Sequence, residues 1–263
     1  MLPVLFTVFG FPVGSYGLSK AVAALVAGLV LARAFQRRGL PSDAAWSLVV
    51  PAMLWGFLGA KLYYLAEHAS SLTWHDFTGT GFTWYGGMIA ATIAVLVVIH
   101  RHRLPLGLVS GLVPVPLSLA YGIGRLGCLL AGDGTYGRPT DLPWAMAFPH
   151  GTVPTTVAVH PTPLYEALAA FAIAGLLAWL GPRLAPPAVF GTYLVLSGAS
   201  RFLVEFLRLN THSLFGLTQA QLWSLLVVVI GATILLGHRS ADRPPAPAGR
   251  GPRSVTPTVQ VTS

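Results

Sequence analysis

The chain has 263 residues, of which 54% are hydrophobic and only 9% are charged, and its net charge is +8. Soluble domains carry about 25% charged residues, so the composition excludes an ordinary soluble protein. A positive charge in a soluble chain would suggest nucleic-acid binding, but here the basic residues lie at the ends of apolar segments, as in membrane proteins. We therefore predict an all-α integral membrane protein that does not bind nucleic acid.

Seven apolar segments of about 20 residues, the length that spans a ~30 Å hydrocarbon layer, follow one another without a long polar linker. We predict spans at residues 16–34, 45–66, 84–100, 105–123, 164–181, 188–207 and 219–237. The fourth contains Pro105, Pro114 and Pro116, so we expect a kinked or broken helix there. Residues 1–237 are interpreted as one transmembrane domain. Residues 238–263, rich in Pro, Arg, Ser and Thr, are predicted to be a disordered cytoplasmic tail.

Basic residues predict the orientation, because cytoplasmic loops of membrane proteins carry an excess of Lys and Arg. Arginines follow the first, third, fifth and seventh spans, whereas the loop after the second span, residues 67–83, has no Lys or Arg. The N-terminus is therefore expected outside and the C-terminus in the cytoplasm. There is no basic region followed by a short apolar run and a cleavage site, so we expect the first span itself to direct insertion.

The segment 124–163 is the longest connection on the outer side, and it is rich in Gly and Pro. Loops longer than about 12–15 residues are usually functional or disordered. The aromatic and glycine content argues against disorder, so we expect a folded periplasmic segment that caps or forms a site.

Four charged residues stand near the outer ends of spans, where charges are costly unless they face the protein interior. Arg125 ends the fourth span, while Arg201, Glu205 and Arg208 have the spacing of a single helix face. Arg201 and Glu205 can form a local ion pair. The trio is either a structural ion pair with snorkelling side chains or an anionic-substrate site, because the arginine fork binds phosphate bidentately.

Several smaller features are also candidates, each with an ordinary alternative. Gly86 and Gly87 allow a tight helix start or the close approach of a ligand or backbone. Tyr16 could belong to an interfacial aromatic belt. Glu166 would be favoured by the helix dipole if it lay in the first turn of the fifth span. His160 could be a base or a hydrogen-bonded loop residue.

Two residues of the outer segment have similar alternatives. Asp133, between two glycines, could be only a turn residue. Cys128, the one cysteine of the chain, could be a nucleophile but more simply forms a small wall of a cavity.

Three strings stand in order along the chain: Gly124-Arg125-Leu126-Gly127-Cys128 followed by Gly132-Asp133, then His160-Pro161-Thr162-Pro163-Leu164-Tyr165-Glu166, then Arg201-Phe202-Leu203-Val204-Glu205-Phe206-Leu207-Arg208. With Tyr16-Gly17 and Gly86-Gly87, they resemble the signature of the bacterial prolipoprotein diacylglyceryl transferases. The resemblance covers about residues 10–237.

The resemblance implies a seven-span protein of the bacterial inner membrane with its site open to the outer leaflet. It implies transfer of a diacylglyceryl group from phosphatidylglycerol to the lipobox cysteine thiol of preprolipoproteins, which forms a thioether and releases glycerol phosphate. Phosphatidylglycerol, preprolipoprotein signal peptides and membrane lipid would be the partners, and no metal or other cofactor is expected.

The same resemblance suggests roles for single residues. Arg125 and Arg201 match arginines regarded as essential in the family, and we expect them to stabilise the departing phosphate. Tyr85 or His160 would serve any acceptor-proton role. The remaining candidates are expected to bind substrate: Tyr16, Gly86, Gly87, Cys128, Asp133, Glu205 and Arg208.

Five positions depart from the family pattern: Tyr85 replaces His, Cys128 and Ala131 replace Asn, Asp133 replaces Glu, and Ser197 replaces Tyr. The arginines and Glu205, which would hold the phosphate, are kept. Two alternatives therefore stay open: a divergent transferase that uses the same lipid with another acceptor, and a non-catalytic phospholipid-binding protein.

Overall fold

The computed structural model describes residues 2–77 and 81–241. Within those residues, seven helices are long and apolar enough to cross a membrane, which confirms the predicted fold class. The helical elements are α1 (Ser15–Arg37), α2 (Ser42–Glu67), α3 (Trp84–Arg101), α4 (Leu106–Leu112), α5 (Pro114–Ala131), α6 (Thr162–Leu180), α7 (Pro186–Glu205) and α8 (Gln219–Ala241).

The fourth span consists of two helices, α4 and α5, which join at Val113 immediately before Pro114. The predicted break is thereby confirmed. The predicted end at residue 123 is wrong, because α5 continues to Ala131 and ends at Gly132, whose φ of 60° is left-handed. The glycines of the 124–128 string suggested a loop, but they lie inside the helix. Arg125 and Cys128 are consequently helical residues.

Neighbouring helices form a continuous series in the order α3, α2, α1, α5, α6, α7, α8, with α4 packed on α7. Glycines let the outermost pairs approach closely. A Cβ atom added to Gly87 on α3 would lie 2.9 Å from the carbonyl oxygen of Gly56 on α2. A Cβ atom on Gly191 of α7 would lie 3.0 Å from the Gly231 carbonyl oxygen on α8. Small residues at such contacts are typical of membrane helices, whose association depends on close packing.

Three two-stranded antiparallel hairpins lie at the end of the bundle where α1 begins and α5 ends, which we call the site end. They are β1 (Val4–Val8) with β2 (Phe11–Gly14), β3 (Met146–Phe148) with β4 (Thr155–Val159), and β5 (His212–Leu214) with β6 (Leu217–Thr218). None was predicted from the sequence. The first and third turn at Phe9-Gly10 and Phe215-Gly216, with φ positive at all four residues.

The segment between α5 and α6 is folded, as expected. The Gly137 amide donates to the His160 carbonyl at 2.8 Å, and the Arg138 amide donates to the Leu207 carbonyl at 2.8 Å. The Tyr136 ring stacks on Phe148. These contacts fix the segment, which we call the cap, against the loop that follows α7.

The main hydrophobic core lies at the opposite end of the bundle, where Leu31, Phe35, Leu48, Ile99 and Val109 are buried. Helix α8 extends to Ala241, so the first four residues of the predicted tail are helical. Residues 242–263, the rest of that prediction, lie outside the described residues.

Candidate active site

Glu166 is the centre of a buried ion-pair network at the site end. Its carboxylate, only 1% exposed, lies 3.1 Å from Nε of Arg125, 3.7 Å from Nε of Arg201 and 3.8 Å from Nη1 of Arg208. The Tyr121 hydroxyl donates to Glu166 Oε1 at 2.9 Å. Glu166 is the fifth residue of α6, so the helix-dipole interpretation of its position is wrong. Instead, one carboxylate gathers three arginines from two separate parts of the chain.

Glu205 is the second carboxylate of the network. It pairs with Arg201 at 2.5 Å and lies 3.7 Å from Nε of Arg208. The Asn210 amide and the Thr218 hydroxyl also donate to its Oε1, at 2.6 and 2.9 Å. The local pairing of Arg201 with Glu205 is therefore confirmed. We call Arg125, Arg201, Arg208, Glu166 and Glu205 the charge cluster.

Arg208 reaches the cluster from outside the helix. The sequence placed it on the same helix face as Arg201 and Glu205, but α7 ends at Glu205. A turn follows, and Arg208 forms a β-bridge with Gly137 of the cap. The prediction of a shared helix face is wrong for Arg208, although the turn still brings its guanidinium to both carboxylates. Burial and the neighbouring Arg201 charge lower the pKa of Arg208.

The cluster has an excess of positive charge, since its three guanidinium groups face two carboxylates. Arg208 Nε and Nη1 are buried and make no hydrogen bond. The carboxylate oxygens that face them, Glu205 Oε2 at 3.7 Å and Glu166 Oε2 at 3.8 Å, are also without a hydrogen bond. Buried donors without a close acceptor are costly. An anion with several oxygen atoms could satisfy them, and the bidentate arginine fork suits phosphate.

A cavity of about 200 Å³ adjoins the cluster. Its lining comes mainly from α1 and α5, with contributions from the start of α3 and the residues after α5. The residues that line it are Tyr16, Lys20, Trp84, Ala120, Tyr121, Gly124, Arg125, Cys128, Asp133 and Thr135. Four predicted site residues thus share one cavity, and Arg125 also belongs to the charge cluster. The buried Cys128 forms part of the wall.

Asp133 follows the left-handed Gly132 that ends α5. Its Oδ1 accepts hydrogen bonds from the Thr135 amide at 3.1 Å and the Thr135 hydroxyl at 2.6 Å. Asp133 is therefore a turn residue, as one interpretation of the sequence held, and it also borders the cavity. Both descriptions apply to it at once.

Tyr85 lies beside the cluster, outside the cavity lining. Its ring stacks on Trp223 of α8 with centroids 5.5 Å apart, and its hydroxyl lies in the electrostatic field of Arg201 and Glu205. Gly86 and Gly87 face α2, where Gly86 contacts Tyr63 and the Gly59 carbonyl. The close backbone approach expected of these glycines occurs between two helices.

His160 lies in the cap, and its side chain contacts Tyr165 of α6. Its Nδ1 is 3.3 Å from the Tyr165 hydroxyl, which accepts a hydrogen bond from Trp144 Nε1 at 2.7 Å. Over residues 2–77 and 81–241, neither a hydrogen bond nor an ion pair joins the His160 side chain to the charge cluster. Of the two candidates for the proton role, Tyr85 is the one whose hydroxyl lies in the electrostatic field of Arg201 and Glu205.

Sequence reasoning missed the role of Glu166 and did not consider Tyr121 or Lys20. Glu166 was noted but not identified as the partner of three arginines, because contacts between distant segments leave no local spacing signal. Tyr121 stands four residues before Arg125 and donates across to Glu166, and that spacing was visible. Lys20 is a cation inside a membrane span, which is itself a signal for a functional position. In the described part of the chain, no three His, Cys, Asp or Glu side chains are grouped as metal ligands.

Comparison with known proteins covers nearly the whole chain. The family model described as prolipoprotein diacylglyceryl transferase matches residues 3–237. The phosphatidylglycerol–prolipoprotein diacylglyceryl transferase of Clostridium tetani is 31% identical over 88% of this chain and 95% of its own length. The Rhodospirillum rubrum enzyme is 31% identical over 94% and 96%. The Bordetella bronchiseptica enzyme is 34% identical over 78% and 79%.

Proposed function

Because the chain belongs to the prolipoprotein diacylglyceryl transferase family, we propose that its charge cluster and cavity hold the phosphate of phosphatidylglycerol while the diacylglyceryl group moves to a prolipoprotein cysteine. The protein is a transferase of lipoprotein biosynthesis and a multi-pass protein of the bacterial inner membrane. The convergence of Arg125, Arg201 and Arg208 on Glu166, at the edge of a cavity, is the observation that carries the assignment of the site.

The reaction exchanges one bond at a glycerol carbon. The acceptor sulfur forms a bond to the carbon that bears the phosphate ester, and the carbon–oxygen bond breaks. The electron pair of that bond leaves on the phosphate oxygen of glycerol phosphate, and the thiol proton passes to a base or to water. Negative charge therefore grows on the phosphate during the step, and fixed guanidinium groups stabilise the transition state more than the ground state.

Glu166 acts as a positioning residue in this proposal. Three guanidinium groups repel one another, and a shared carboxylate offsets that repulsion while fixing their direction. The cluster keeps its excess positive charge, so it still attracts an anion. Glu205 holds Arg201 and Arg208 in the same way, and is itself held by Asn210 and Thr218.

The acceptor needs only modest help to lose its proton. A free thiol has a pKa of about 8.5, so a few per cent is thiolate at neutral pH. Tyr85 stands beside Arg201 and Glu205, where its hydroxyl would hydrogen-bond a phosphate or glycerol oxygen. We assign His160 a structural role, because its ring contacts Tyr165 and so joins the cap to α6.

The orientation expected from the basic residues places the site on the outer side of the membrane. The N-terminus lies outside and the C-terminus in the cytoplasm, so the site faces the outer leaflet, where phosphatidylglycerol and the signal peptide of a preprolipoprotein both reach it. Tyr16, Cys128 and Asp133 contact the substrate from the cavity wall. Gly86 and Gly87 act indirectly, because their close packing on α2 sets the position at which α3 begins. Nucleic acid has no role.

The test uses purified protein in phosphatidylglycerol vesicles with a lipobox peptide, and mass spectrometry detects the thioether. Arg125→Lys and Arg201→Lys keep the charge but remove the fork, and each is expected to lower the rate about 10²-fold or more. Arg183→Lys, in the 3₁₀ turn that follows the far end of α6, is the matched control. A non-catalytic lipid-binding protein would bind the vesicles and form no thioether, and that result would exclude the transferase.

A further inference from the structure

We propose that Lys20 supplies a second fixed positive charge, beside Arg125, to the anionic lipid headgroup held in the cavity. The inference rests on the proposed function and adds to it a residue that contacts the phosphate from α1. The ligand is a phosphodiester headgroup before the reaction and a phosphate monoester leaving group after it.

The position of Lys20 in the chain is the first argument. The chain has two lysines, Lys20 and Lys61, and Lys20 is the sixth residue of a membrane-spanning helix. An ammonium group in that setting costs several kcal/mol unless it faces a wet or polar interior. Lys20 does face such a place, since it lines the cavity together with Arg125.

The partners of Lys20 are the second argument. Its Nζ lies 4.8 Å from the centre of the Tyr16 ring, a contact that stabilises a cation but does not neutralise it. Among the ion pairs of residues 2–77 and 81–241, none includes Lys20. Asp133, the acidic residue of the same cavity lining, is bound to Thr135 instead.

The space around Nζ is the third argument. A Cβ atom added to Gly124 on α5 would lie 3.1 Å from Lys20 Nζ. Because glycine has no side chain, the ammonium group of Lys20 can lie directly against α5. The cavity therefore presents two cations from two helices, Lys20 on α1 and Arg125 on α5. Arg125 is paired with Glu166, whereas Lys20 brings to the cavity a cation that takes part in none of the ion pairs of the described residues.

The chemistry gives such a cation a specific effect. The phosphodiester of the donor lipid carries one negative charge, and the departing glycerol phosphate gains a second as the carbon–oxygen bond breaks. A cation close to the departing oxygen consequently stabilises the transition state more than the bound substrate. Loss of the Lys20 charge should lower kcat more than it raises KM for the lipid.

The experiment compares Lys20→Met, Lys20→Arg and Lys61→Met in phosphatidylglycerol vesicles with a lipobox peptide. Lys61 is a matched control, because it also lies in a span and its Nζ is 5.1 Å from the centre of the Phe82 ring. We expect Lys20→Met to lower kcat about tenfold or more, Lys20→Arg to restore most of it, and Lys61→Met to stay within about twofold of the original protein. Added glycerol phosphate should inhibit the original protein more strongly than it inhibits Lys20→Met. If Lys20 contacted only the bound lipid and not the leaving group, glycerol phosphate would inhibit the two proteins equally.

Three outcomes would overturn the proposal: unchanged kcat in Lys20→Met, equal losses in Lys20→Met and Lys61→Met, or no rescue by Lys20→Arg. Thermal unfolding of each variant separates a loss of folding from a loss of charge. If the unsubstituted protein forms no thioether, the proposed function fails. If it forms thioether at the same rate as Lys20→Met, only the role of Lys20 fails.

Discussion

The two halves of the site are built differently. On the cluster side, two buried carboxylates bind three arginines, and the hydrogen bonds of Tyr121, Asn210 and Thr218 hold those carboxylates in turn. On the cavity side, Lys20 and Cys128 have few polar contacts and border open space. The first half is a fixed electrostatic frame, while the second is the part that must admit and release different molecules.

Of the five departures suggested by the family resemblance, two lie in the cavity lining, while a third, Tyr85, lies on the side of Arg201 and Glu205. The arginines and Glu205 belong to the cluster, whereas Cys128 and Asp133 line the cavity. A frame in which every group touches several others tolerates little change, because one substitution disturbs all of its partners. A sparsely contacted wall can change one residue at a time.

Glu166→Gln should produce the largest effect on the frame. The substitution keeps the size of the side chain but removes the charge that faces three arginines, so buried positive charge is left uncompensated. We expect a loss of about 3–5 kcal/mol in the free energy of unfolding and a fall of about 10²-fold or more in transfer rate. Thermal unfolding in detergent and thioether formation measure the two effects.

Glu67→Gln is the control for Glu166→Gln, since Glu67 accepts a hydrogen bond from Thr83 at the end of α2 and lies outside the cluster. A Glu166→Gln protein as stable and active as this control would contradict the description of Glu166 as the centre of the frame.

Glu205→Gln should have a smaller effect. The amide oxygen of glutamine can still accept from Asn210 and Thr218, so only the ion pairs to Arg201 and Arg208 are lost. We expect a fall of about tenfold in transfer rate, with less destabilisation than in Glu166→Gln. A larger loss than that of Glu166→Gln would move the centre of the frame to Glu205.

Cys128→Ala tests the cavity side. As a wall residue, Cys128 contributes a small soft surface, and we expect the transfer rate to stay within about threefold. A fall as large as those in the cluster would identify the thiol as a nucleophile and break the distinction between the two halves. Mass spectrometry of the intact protein, which would detect a lipid attached to Cys128, provides a second measurement.

The smallest effect is expected at Asp76, in the 3₁₀ turn Trp74–Phe77 between α2 and α3. Hydrogen bonds from the Thr73 amide, the Thr73 hydroxyl and the Tyr64 hydroxyl lower the pKa of Asp76 to about 2. The folded-state pKa lies below the unfolded value of about 3.9, so the stabilisation is complete at neutral pH and is lost as the pH falls through about 2.

Asp76→Asn should therefore leave transfer at pH 7 unchanged and flatten the acid dependence of thermal stability between about pH 4 and 2. A loss of transfer at pH 7 would show that this turn, which contains no residue of the charge cluster or the cavity lining, is coupled to the site.

Much of the fold could be predicted from the sequence because the bilayer sets the length of each span. The orientation of Arg201 towards Glu205 also followed from a local spacing. The continuation of α5 to Ala131 did not, because the glycines that suggested a loop serve instead for close packing, as where Gly127 meets Ser19. The role of Glu166 was hidden for a different reason. Its partner Arg125 stands 41 residues earlier, and only the folded chain brings the two together.

The glycine contacts of the outer helix pairs have a consequence for how the bundle moves. Gly56 and Gly87 join α2 to α3, and Gly191 and Gly231 join α7 to α8, with hardly any side-chain volume between the backbones. Each helix pair therefore behaves as one rigid unit, because sliding one helix along the other would bring the two main chains into collision. Flexing is thereby confined to the interfaces between these rigid pairs and the neighbouring helices. A single alanine at one of these glycines would push the two helices of a pair apart without touching any reacting group.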